Sequence, residues 1–101
     1  MRFLLVVLLL VSACTSREER LAEDTAVREA VAAAQAEISE GRACIWVIGR
    51  LPPDAAPDSE TGLPCVASTC EVNDRNLAAV DAHNDEIRRA WSEGRVPVRR
   101  P

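Results

Sequence analysis

"DRNLAAVDAHNDEIRRAWSEG", residues 74 to 94, is the stretch on which the fold turns. Leu77, Val80, Asn84, Ile87 and Trp91 recur at 3-4-3-4 spacing, one seam along an α-helix. Asn73 or Asp74 can cap its start, and Gly94 supplies the stop. The segment predicts a helix over about 74–93. An Asn within such a seam can set register at some cost in stability. Two heptads are too short to hold as a coiled coil alone, so the seam needs a partner, expected in this chain.

Upstream, Ser16-Arg17-Glu18-Glu19 matches a capping box, with acids crowding the first turn. No Pro or Gly interrupts the chain from there to Glu40, and Gly41 ends it. Val27, Val31, Ala34 and Ile38 form a thin apolar stripe. A first helix is expected over about 16–40, leaning on the second or standing solvated as a spacer.

Between the helices lies "CIWVI", residues 44–48, the most hydrophobic part after the N-terminus, suited to a strand or buried extended segment. "GRLPPDAAPDSETGLP" follows, a loop whose four prolines forbid a helix. "CVASTC", residues 65–70, can return as a second short strand. The fold class expected is mainly α: a two-helix hairpin with a short β-like segment and a Pro-rich loop between. The tail "RVPVRRP" is expected to be disordered and basic, so 94–101 is set apart from the folded unit.

The N-terminus has a different logic. Arg2 precedes nine unbroken apolar residues, Phe3–Val11. As a helix these reach roughly 14 Å, about half a bilayer core. A charged start, a short apolar run and small residues read as an export signal over 1–13. Val11-Ser12-Ala13-Cys14 resembles the bacterial lipobox, with Val in place of the usual Leu. The resemblance implies a lipoprotein: diacylglycerol on the Cys14 thiol, cleavage before it and acylation of the new amine. A thiolate suits that alkylation where a Ser hydroxyl does not. Two or three acyl chains anchor firmly, where one holds only marginally. Ordinary signal cleavage after Ala13 is the competing reading. In the family, Asp after the cysteine often retains a protein at the inner membrane; Thr15 stands here. The expected address is therefore the outer membrane facing the periplasm, in a cell that has one.

Removing 1–13 takes one of the 12 arginines and leaves 11 against 16 acids, a net charge of −5. That disfavours nucleic acid as a partner. There is no Lys or Tyr, one Phe and two Trp, so the core must be small.

Three cysteines remain beyond Cys14. An exported chain meets an oxidising compartment, so a disulfide is expected. If 45–48 and 65–69 pair as a hairpin, Cys44 falls opposite 69–70. Cys44–Cys70 is then the favoured bond, with Cys65–Cys70 the alternative and one thiol spare. Cys65-x₄-Cys70-x₁₂-His83 copies three positions of a C₂H₂ zinc site, but no His follows three to five residues later. No metal or cofactor is expected. His83, the only histidine, lies beside the seam and reads as partly exposed. No nucleophile motif, phosphate loop or carboxylate pair stands out, so no catalytic residue is assigned and no enzyme is expected. The function expected is a non-enzymatic, membrane-anchored envelope lipoprotein that contacts an envelope protein or a second copy of itself. The alternatives are a phage-type lysis accessory lipoprotein, loosely similar to spanin subunits, or an exported inhibitor or binding module using loop 51–64.

Overall fold

The computed structural model describes residues 2–96, with side chains from Arg17 onward. The element order is α1 (Arg2–Ser39), β1 (Ile45–Ile48), β2 (Cys65–Thr69) and α2 (Asp74–Ser92). Two helices thus enclose a two-stranded sheet, and about half the chain is helical.

α1 does not begin at the capping box. Its backbone is helical from Arg2, because neither Pro nor Gly occurs before Gly41 to break it. Both expected stops hold. Gly41 takes φ +70°, Arg42 N–H donates to Glu37 C=O (2.8 Å) and Gly41 N–H to Ile38 C=O (3.2 Å). Gly94 repeats the pattern at φ +73°, with Arg95 donating to Ala90 and Gly94 to Trp91. Each is a Schellman motif, whose left-handed residue a Cβ would strain. Asn73, not Asp74, caps α2, accepting from Asn76 N–H at 2.8 Å.

The strands pair, but parallel, with Ile45 opposite Cys65 and Trp46 opposite Val66. The hairpin expectation is corrected. The connecting loop is long enough to bring the chain back to its starting end. Leu63, 7% exposed, seats that return beside Ala43 and Ile45. Ile45 N–H then donates to Pro64 C=O (2.9 Å), so β2 must start where β1 starts.

This geometry also corrects the disulfide expectation. Cys44, Cys65 and Cys70 are free thiols. Cys44 precedes β1 and Cys70 follows β2, so parallel strands put them at opposite ends, roughly 15 Å apart at about 3.3 Å per residue. Cys65 and Cys70 are separated by the length of β2 itself. A disulfide tolerates a Cα separation of only about 7 Å.

The helices meet through small side chains. Ala34 on α1 packs in one cluster with Ile87 and Ala90 on α2, and Ala30 one turn earlier is buried as well; such small side chains let the axes approach closely. Ala43, Ile45 and Leu63 complete the core. The α2 seam is rotated from its expected face. Leu77 is 44% exposed, while His83, Asn84, Glu86, Ile87 and Ala90 are buried. Val96 is buried in the core as well, so the chain beyond Gly94 begins folded rather than as a free tail. Residues 97–101 lie outside the described residues.

Candidate functional site

Three buried polar side chains converge between the helices. Glu37 lies in the last turns of α1 on the face that carries Ala30 and Ala34. Cys44 follows the Gly41 turn, immediately before β1. His83 comes from the middle of α2 and has no exposed surface at all. A carboxylate in such a place is costly unless it is paired and hydrogen-bonded. Glu37 meets both conditions: Oε2 lies 2.8 Å from His83 Nε2, and Oε1 accepts from Cys44 Sγ–H at 2.9 Å.

Asn84 and Trp46 fix the imidazole from its other side. Among the described residues no third strand pairs with the outward edge of β1; the Asn84 amide takes that place. Its Oδ1 accepts from Trp46 N–H (2.8 Å) and its Nδ2 donates to Trp46 C=O (2.8 Å). This double bond pattern settles which end of the amide is oxygen. The same Oδ1 stands 2.9 Å from His83 Nδ1, so Nδ1 carries the hydrogen. Nε2 faces the Glu37 carboxyl at 2.8 Å, so that contact needs a proton between them. Nδ1 donates to Asn84, and Nε2 and Glu37 Oε2 hold one proton between them. The Trp46 indole covers the ring, stacked at 3.7 Å with a 6° tilt.

The cysteine is held as a thiol. Burial is the main cause that pushes Cys44 up to about 12, and its hydrogen bond to the Glu37 carboxylate adds to it. Glu37 stands between sulfur and imidazole, whose Nε2 points at the carboxylate. A Cys–His nucleophile needs the imidazole to take the thiol proton. Here the shared partner is an acid, and the sulfur keeps its proton.

A groove of about 640 Å³ opens over this cluster, lined by Glu37 and Cys44 together with apolar Ala33, Leu63, Val66 and Val96. A polar floor and apolar walls suit a small ligand or an inserted side chain.

The other expected site residues lie apart. Cys65 and Cys70 stand at the two ends of β2, Cys65 half-buried and Cys70 exposed, so the zinc-like spacing through them to His83 does not form a cluster. The side chain of Cys14 is outside those described, and its lipidation is taken up below. His83, expected to be partly exposed, is instead the centre of the site: its ring is enclosed by α1, β1 and α2. Sequence reasoning missed Glu37 and Asn84 as its partners. One signal was there, an acid three residues after Ala34 on the apolar side of α1. The sequence matches no protein-family model, no curated protein and no solved structure.

Proposed function

We propose that this chain is a non-enzymatic envelope lipoprotein, anchored through Cys14, whose mature part is a mainly α hairpin that presents a small folded head to an envelope partner or a second copy. The observation that carries the reading is the quartet Val11-Ser12-Ala13-Cys14 directly after nine apolar residues. The geometry of α1 agrees with it. Residues 17–29 are exposed or half-buried, and burial begins at Ala30. That is a solvated stretch of helix roughly 20 Å long between the cysteine and the head. Among the described residues no helix is long and apolar enough to cross a membrane, so attachment by this route needs the lipid. The protonated Cys44 and the enclosed His83 favour a head that binds rather than catalyses. The groove beside Val66 and Val96 offers it a contact surface.

Metabolic labelling with a clickable palmitate analogue tests the anchor. The wild-type chain should be labelled, and Cys14→Ser should be unlabelled and accumulate as uncleaved precursor. Efficient cleavage of Cys14→Ser to a soluble periplasmic form would sink the lipoprotein reading in favour of ordinary secretion.

A further inference from the structure

We propose that Glu37, Cys44 and His83 form a binding site for a divalent zinc-like metal ion. One carboxylate oxygen, one thiol sulfur and one imidazole nitrogen lie within 4.8 Å of one another, and all three residues are buried. They come from three separate elements, so the convergence is a product of the fold and not of one helix face. Zinc takes this donor set, at about 2.0–2.3 Å per bond, with tetrahedral geometry. Ligand atoms around such an ion stand roughly 3.5 Å apart. The contacts of 2.8 and 2.9 Å that Glu37 now makes through shared protons need to open by less than 1 Å.

Two further observations point to an ion. The first is the outer partner of the histidine. A metal-bound imidazole almost always donates its second N–H to a fixed acceptor, which selects the tautomer and sets the ring orientation. His83 Nδ1 does so to Asn84 Oδ1, itself locked by both backbone groups of Trp46. Nε2 is thereby aimed at Glu37 and Cys44. The second is access. The groove reaches Glu37 and Cys44, gives an ion a path from solvent and leaves room for a water as fourth ligand. Three protein ligands would leave the fourth tetrahedral position facing the groove.

The exchange balances. The ion enters as M²⁺, the Cys44 S–H proton and the proton shared by His83 Nε2 and Glu37 leave to solvent, and sulfur, nitrogen and carboxylate oxygen each offer a lone pair. Glu37 binds as a carboxylate. No electron is transferred, and the site becomes neutral: two positive charges against one thiolate and one carboxylate. The proposal is independent of the lipid anchor, because none of the three residues belongs to the export segment.

Cobalt substitution tests it. The full-length protein is extracted in mild detergent, stripped with chelator and titrated with Co²⁺. One equivalent per chain should develop a near-ultraviolet thiolate-to-cobalt charge-transfer band with intense tetrahedral visible absorption. Zn²⁺ should bleach both, since it outcompetes Co²⁺ at such donors. The bands should survive the double change Cys65→Ser with Cys70→Ser, and Cys44→Ser should abolish the charge-transfer band. Glu37→Gln keeps the shape and removes the charge. It should weaken cobalt binding at least tenfold, the lower bound seen when even an outer partner is lost. If Cys44→Ser fails to fold by circular dichroism, Glu37→Gln decides: unchanged affinity overturns the site. So does an absence of bands in folded wild-type protein. Bands that outlast Cys44→Ser and vanish with Cys65 and Cys70 would also overturn it.

Discussion

Asn84→Ala should unfold much of this protein's margin of stability. Three hydrogen bonds meet at that amide: Trp46 N–H to Oδ1 and Nδ2 to Trp46 C=O, each 2.8 Å, and His83 Nδ1–H to Oδ1 at 2.9 Å. Alanine deletes one partner of each and leaves the other in place. A buried group left unsatisfied costs about 1–3 kcal/mol, more when it is charged. The His83 bond has no access to water, since the ring is wholly buried. The Trp46 backbone is half-buried, and water can recover part of its loss. A sum of about 3–5 kcal/mol follows, against a total of about 5–10 kcal/mol for a domain of this size. With a urea slope of about 1 kcal/mol/M, the unfolding midpoint should fall by about 3 M or the fold should be lost outright. Trp fluorescence in a urea titration reads it, because Trp46 stacks on the affected ring. Asn84→Asp sharpens the test: it keeps both acceptor contacts and sets a carboxylate against Trp46 C=O. It should cost less than alanine while still destabilising. An alanine variant within about 1 kcal/mol of wild type would refute the role assigned to the amide.

Three other outcomes follow from the same geometry. His83→Leu should cost about 3–5 kcal/mol by leaving Glu37 buried without its imidazole partner, and adding Glu37→Leu should restore most of that, read by denaturant double-mutant cycle. In chelator-treated protein at pH 8, iodoacetamide should modify exposed Cys70 far faster than Cys44, whose thiolate fraction near pH 8 is about one in ten thousand when the thiol titrates near 12; equal rates by mass spectrometry would contradict the buried thiol. Asp58 is held below its usual carboxylate range, first by the Thr61 hydroxyl at 2.8 Å and further by Thr61 N–H and Arg88; a depressed folded value means its contribution is present above about pH 4 and lost as pH falls through that depressed value, so Asp58→Asn should flatten the acid end of a stability–pH curve and leave its shape above pH 5 unchanged.

Much of the local structure was legible along the chain because it depends on neighbours in sequence. Gly41 and Gly94 end their helices, Asn73 begins one, and four prolines keep 49–64 out of any helix, since each effect acts through a backbone dihedral or a bond spanning a few residues. The hydrophobicity of 44–48 likewise announced an extended segment. Strand direction was not legible. Residues 45–48 and 65–69 satisfy either orientation, and the choice fell to Leu63, which seats the returning loop at the Ala43 end of the core. The cysteine pairing inferred from a hairpin failed with that choice. The α2 face was legible only to within part of a turn, because a period of 3.6 marks a stripe but not which edge of it meets the small residue Ala34. Glu37, Cys44 and His83 are separated by 7 and 39 residues, and no spacing rule joins them. Each alone reads as a solvated acid, a disulfide cysteine and a partly exposed imidazole. Burial changes that reading: out of water an acid must find donors and an imidazole must find acceptors, and only the packing of α1, β1 and α2 supplies each to the other.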